Sequence, residues 1–272
     1  METILIATDF SAASRHGLHY ACQLLQGRDV FLDLLHIYPV PVTYTTDGVA
    51  LTAIQPGIER AQSCMDNELA FVQQHFPDIR IEGRVITGGF LDTLHAETRR
   101  LRPLMLILGT AGFADLYFGD RDPLNALRDL RLPVLFIPQG AIIRPIRQIA
   151  YACNYRFVGE KTPVSALIRM VQFWGAQLQI VHADKEPEGA DERQTNGKAW
   201  LARQLQALQP PFYWIINKDV IQGLSQYISQ QNIDCVLVVP RRYEFWETFF
   251  RRSRTKALAR LNKLPVLAIH EQ

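Results

Sequence analysis

Two stretches of this sequence occur twice. Leu32-Asp33-Leu34-Leu35-His36 returns as Leu178-Gln179-Ile180-Val181-His182, and Leu132-Pro133-Val134-Leu135 returns unchanged at 264–267. Duplication is the economical explanation, and a chain of 272 residues then divides into two units of ordinary domain size. Pro138–Arg147, with two prolines and a glycine, reads as the linker, giving expected domains of about 1–140 and 145–272.

The periodicity within each unit repeats as well. In the first, Ile4–Ala7 is a strand-like run, and Ser11 is placed to cap a helix whose Leu18, Ala21, Cys22 and Leu25 share one face. A strand over about 30–37 and a long loop through Pro56 follow. A second helix is then expected from Ile58 to Phe76, a strand over 79–85, a helix through Leu91, Leu94 and Leu101, and a short helix through Leu124, Leu127 and Leu130. The runs 104–108 and 134–137 are continuously apolar, which suits parallel strands covered on both faces. The second unit repeats the order: a strand at 149–152, Thr162-Pro163 opening a helix, a strand at 178–182, a helix over about 199–208, a strand at 212–216, a helix through Val220, Leu224 and Ile228, and strands at 235–239 and 266–269. Strand–helix alternation of this kind predicts α/β architecture: two tandem Rossmann-like, doubly wound parallel-sheet domains.

Charge divides at the same place. Residues 1–143 hold 11 Arg, no Lys and 16 acidic residues (net −5), whereas residues 144–272 hold 18 basic and 11 acidic residues (net +7). The apolar fraction of 48% and charged fraction of 21% are those of a globular protein. Cys22, Cys64, Cys153 and Cys235 are scattered, which indicates buried free thiols and no metal site. No apolar run reaches the length of a membrane span and no basic leader precedes Ile4, so a cytoplasmic location is expected.

Three segments resemble the universal stress proteins in their tandem two-domain form: Ile6-Ala7-Thr8-Asp9-Phe10-Ser11, Leu34-Leu35-His36-Ile37, and Leu106-Ile107-Leu108-Gly109-Thr110-Ala111-Gly112 followed by Leu-Pro-Val-Leu. The resemblance implies a stress-response protein regulated by an adenine nucleotide such as ATP, with Asp9 and Ile37 near the adenine and Gly109, Thr110 and Gly112 near the phosphates. It does not specify Mg. It also implies association through the final strands, either between the two halves as an intramolecular pseudo-dimer or between chains as a homodimer. Independently of family, glycines after a parallel strand let backbone N–H groups approach phosphate oxygens. Open α/β sheets bind ligands at the carboxyl ends of their strands, where Asp9, His36, Gly88 and Gly109 are expected to converge.

The family's nucleotide-binding pattern is G-x-x-G, nine residues, then G-[ST]. Gly109 and Gly112 match the first pair, but nine residues later stand Asp122 and Pro123. Counted back from Pro133, the second pair falls on Asp120 and Arg121, a carboxylate whose charge Arg121 partly offsets. The second half has Asn154 in place of the aspartate and Val239-Pro240-Arg241 in place of the glycine loop; Ser253 keeps the family's hydroxyl position, and no ATP site of the family's kind is expected there. Asp9 has a plainer reading as the cap of the turn that follows its strand. The bare G-x-x-G likewise reads as a tight turn, which leaves a nucleotide-free interaction or scaffold protein as the alternative.

From Arg241 to Lys263 eight basic and two acidic residues interleave with Phe245, Trp246, Phe249 and Phe250. The helical spacing of these aromatics favours a core stripe with a solvated basic face over a nucleic-acid site. His36 and His182 occupy equivalent strand ends and read as relics of one ancestral position. The sequence has no nucleophile elbow, Walker lysine or zinc helix, so no catalytic residues are assigned and an ATP-hydrolysing enzyme is only a weak rival.

Overall fold

The computed structural model describes residues 1–39, 50–111, 127, 130–184, 191–240 and 263–270, with side chains excepted at 50–54. The first half runs β1 (Glu2–Ala7), α1 (Ala12–Leu25), β2 (Val30–Tyr38), α2 (Ala50–His75), β3 (Arg80–Thr87), α3 (Phe90–Leu101), β4 (Met105–Thr110) and β5 (Val134–Pro138). The second runs β6 (Gln148–Ala152), a single 3-10 turn (Tyr155–Phe157), α4 (Val164–Trp174), β7 (Gln177–Asp184), α5 (Glu192–Gln204), β8 (Phe212–Ile216), α6 (Val220–Gln230), β9 (Cys235–Val238) and β10 (Val266–Ala268). The expected short helix at 124–130 and the basic-aromatic stretch up to Asn262 fall largely outside the described residues.

These strands form one ten-stranded sheet in the order β3-β2-β1-β4-β5-β10-β9-β6-β7-β8. Read from either edge inward, each half has the same order, and every pairing is parallel except β5 with β10, which is antiparallel. The mixed α/β, mostly parallel architecture is the one the strand–helix alternation predicts. Because the seam is antiparallel, the carboxyl ends of the two sets of strands lie on opposite edges of the sheet.

Side chains alternate across the sheet with the strand period of two. Ile4 and Ile6 enter a core layer with Leu18 of α1, Met65 and Val72 of α2, Leu167 of α4 and Leu201 of α5. Leu5 and Ala7 enter the opposite layer, with Leu94 of α3 and Leu224 and Ile228 of α6. Both faces are therefore covered, as continuous runs such as Met105–Leu108 require. The linker is fastened to the second half by Asp234, whose carboxylate accepts the Arg147 and Gln148 N–H groups at 2.9 Å each and pairs with Arg144 at 2.8 Å. Arg28, just past α1, donates to the carbonyls of Phe173 and Trp174 at the end of α4, where the helix dipole favours a cation.

Three boundaries differ from the sequence reading. α2 begins at Ala50, so Pro56 lies inside the helix and not in the preceding loop; the cost is one missing i→i−4 bond near its start. α5 begins at Glu192, earlier than expected, because Asp191 and Gln194 form a reciprocal capping box. At α4 the capping position belongs to Pro163, which makes no side-chain cap, while the Thr162 hydroxyl accepts the Gly159 N–H at 3.1 Å. Ser11 does cap α1, accepting the Ser14 N–H at 3.2 Å.

Candidate functional site

In the first half the strand order places the ends of β3, β2, β1 and β4 side by side along one carboxyl rim. From one side to the other this sets Gly88, Ile37, Asp9 and then Gly109 and Thr110 in sequence. β1 and β4 flank the point where the strand order reverses, the usual crevice of an open α/β sheet.

The turn after β1 is built from its own polar side chains. The Thr8 N–H bonds Leu35 O at 2.9 Å and its hydroxyl accepts the Phe10 N–H at 3.0 Å, while Asp9 Oδ1 accepts the Ser11 N–H at 2.9 Å. Burial pushes the Asp9 carboxyl upward, but hydrogen bonds from Ser11 and Ser14 outweigh it and hold the group below the ordinary carboxylate range. Asp9 is thus an anion that already closes a turn. Phe10 sits at φ 62°, a left-handed conformation rare for a side chain of its size, and its ring packs on His36 with centroids 4.5 Å apart. His36 Nδ1 lies 2.8 Å from the Thr8 carbonyl, which can only accept, so Nδ1 donates to it.

Ile37 is buried in the layer facing α3. Gly88, with φ 155°, donates its N–H to Tyr38 O at 3.0 Å, and a Cβ there would collide with the Thr93 hydroxyl. Gly109 is needed for packing, because a side chain there would strike the Ala13 carbonyl of α1. A Cβ on Gly17 of α1 would lie 2.7 Å from the Gly109 Cα. These two glycines let helix and strand touch backbone to backbone. Thr110 is buried; its carbonyl accepts the Gln139 N–H at 2.8 Å, and its Oγ1 has no hydrogen-bond partner among the described residues. Gly112 and Arg121, and Asp120 with them, lie outside the described residues.

The second half repeats this architecture in detail. The Cys153 N–H bonds Val181 O at 2.9 Å, as Thr8 bonds Leu35, and His182 Nδ1 meets the Cys153 carbonyl at 3.2 Å, as His36 meets Thr8. Tyr155 stacks on His182 at 4.6 Å in the manner of Phe10 on His36. The two histidines therefore hold equivalent turns, a structural reason for their recurrence.

The second rim differs in being filled. Tyr155 is 1% exposed, and Trp214 stands edge-on to both its ring and His182. Gln194 of α5 reaches in to donate to Asp184 at 3.0 Å, and Gly197 lets that helix pass against the Tyr155 carbonyl. Burial lowers the His182 pKa, with the Cys153 carbonyl and Asp184 pulling weakly the other way, so the ring is neutral at pH 7. Sequence reasoning did not foresee the aromatic–histidine pairs or this plug; the repeated His with Phe10 and Tyr155 at matching positions was the available signal.

Among the described residues no cluster of three or more His, Cys, Asp or Glu side chains could hold a metal ion, and no helix is long and apolar enough to cross a membrane. No curated protein matches the sequence. By structure the chain is similar to a universal stress protein from Archaeoglobus fulgidus, with TM-score 0.66 at 15% identity over 99% of this chain and 98% of that one. It is also similar to a functionally unknown protein from Pseudomonas aeruginosa, with TM-score 0.53 at 13% identity over 100% and 93%. These likenesses concern the fold. Residues 1–122 match the Universal stress protein family model, and on that match together with the doubly wound fold, this chain carries a domain of the universal stress protein family in its first half.

Proposed function

We propose that the first half binds an adenine nucleotide, ATP or a relative, in the crevice between β1 and β4, and that occupancy regulates a stress-response role of the whole chain. In this reading residues 1–140 and 145–272 are separate domains paired as an intramolecular pseudo-dimer through β5 and β10. Asp9 and Ile37 border the adenine, Gly88 lines the same rim, and Gly109, Thr110, Gly112 and Arg121 serve the phosphates. The observation that carries the reading is Thr110 Oγ1: it is buried and has no hydrogen-bond partner among the described residues, which is unfavourable, and it stands at the reversal point of the sheet, where a phosphate oxygen would satisfy it.

A second reading has its own support. Asp9 is satisfied by Ser11 and Gly109 is explained by its contact with α1, so neither requires a ligand, and the chain would then be an interaction scaffold. Calorimetry on nucleotide-stripped protein separates the two. Replacing Gly109 would disturb α1, whereas Thr110→Val keeps the volume and removes only the hydroxyl. Heat on addition of ATP, with affinity lowered roughly fivefold or more in Thr110→Val, supports the nucleotide site. No heat at millimolar ATP leaves the scaffold.

A further inference from the structure

Because β5 and β10 run antiparallel, the residues that lead into β10 arrive at the rim where β5 ends, which is the rim of the first-half crevice. Val266 pairs with Phe136, so by extension Leu264 stands beside Pro138, and Pro138 in turn pairs with Thr110. Lys263 is thereby set two strand spacings, about 10 Å, from the end of β4. A Cβ on Gly140 would lie 3.6 Å from Cγ and 3.9 Å from Cε of Lys263, so its stem lies along the backbone that follows β5. Gln139, next to Gly140, is hydrogen-bonded to Thr110 O. Lys263 is exposed and has no ion-pair partner among the described residues.

We infer that Lys263, a residue of the second half, supplies a cation to the phosphate end of the first-half crevice, making the binding site composite across the seam. This rests on the nucleotide reading above and specifies which part of the ligand the second half recognises. Among the described residues next to Thr110, the positions Gly109, Ala111, Pro138, Gln139 and Gly140 contribute no basic side chain, so Lys263 adds a cation where these and Thr110 offer only hydroxyl, amide and backbone groups. A flexible ammonium on a four-carbon stem suits a phosphate chain extending from β4 towards β5. The duplication makes the arrangement reciprocal: Arg131 precedes Leu132-Pro133-Val134 as Lys263 precedes Leu264-Pro265-Val266, and it stands at the opposite rim. That rim is plugged by Tyr155, so only Lys263 faces a crevice of the nucleotide-binding kind.

The test is to titrate ATP and adenosine into the full-length wild-type chain and into Lys263→Met, Lys263→Arg and Arg131→Met. The expected result is that Lys263→Met weakens ATP about five- to tenfold, as befits a partly screened charged contact, leaves adenosine unchanged, and is rescued by Lys263→Arg. Arg131→Met should leave ATP binding as in wild type, since its charge lies more than about 20 Å away along the strand, beyond the Debye length. ATP binding equal in wild type and Lys263→Met overturns the inference while the nucleotide reading stands. An equal loss for ATP and adenosine also overturns it, by showing a general effect on the fold. A wild-type chain that takes up no ATP overturns both.

Discussion

Replacing Tyr155 with Phe should make the protein more stable, although it deletes a polar atom from the core. Tyr155 is 1% exposed, and its hydroxyl has no hydrogen-bond partner among the described residues. Burial drives its pKa far above the ordinary tyrosine value, with the nearby Cys153 thiol adding to the shift, so the group is a neutral hydroxyl held out of water. Leaving such a group unsatisfied costs about 1–3 kcal/mol, and removing it forfeits only the few dispersion contacts of one oxygen. The ring itself need not move, because the first half already uses phenylalanine at the equivalent position, with Phe10 on His36 at 4.5 Å against 4.6 Å for Tyr155 on His182. The expected net gain is about 1 kcal/mol. It is read as a higher urea midpoint with an unchanged slope, or a rise of about 2–4 °C in Tm. A loss of about 0.5–1.5 kcal/mol, the ordinary worth of a formed hydrogen bond, would refute the reasoning by showing that the hydroxyl is bonded.

Gly17→Ala should destabilise the chain by roughly 1–2 kcal/mol in urea unfolding, even though alanine is the better helix former, because its Cβ would lie 2.7 Å from the Gly109 Cα; a neutral or stabilising result would mean α1 can slide away freely. Acidification should also weaken the fold. His182 and His19 both have lowered folded pKa values, chiefly through burial, with Asp184 opposing this at the first and Glu68 at the second. The unfolded chain therefore binds more protons in this range, and the contribution of these residues, complete above about pH 6.5, is lost as pH falls through the lowered folded values. The urea midpoint should fall between pH 7 and pH 5, less so in His182→Gln; a flat profile in wild type would exclude this linkage.

What could be read from the sequence was whatever had a local period or a repeated string. The two copies of Leu-Pro-Val-Leu became β5 and β10, the continuously apolar runs became core strands, and Ser11 capped its helix. The start of α5 escaped because 191–198 carries few apolar residues, and its stability there comes from the Asp191–Gln194 exchange. Pro56 misled for a different reason: a proline signal marks a lost hydrogen bond, and a 26-residue helix can absorb one. At the candidate site, sequence spacing identified Gly109 as special but not why. The closeness of α1 is a tertiary fact, and its only trace in the sequence was a glycine at position 17 in the middle of an otherwise good helix.

The antiparallel seam also bears on biogenesis. β10 lies between β5 and β9, yet it follows β5 by about 130 residues in the chain. At ribosomal speeds of about 5–20 residues per second, the wholly buried, apolar Val134–Pro138 strand waits on the order of ten seconds for its neighbour. Throughout that interval its unpaired edge is open to strands of other nascent chains, so the three residues Val266–Ala268, made well after β5, act as the keystone that joins the two halves of the sheet.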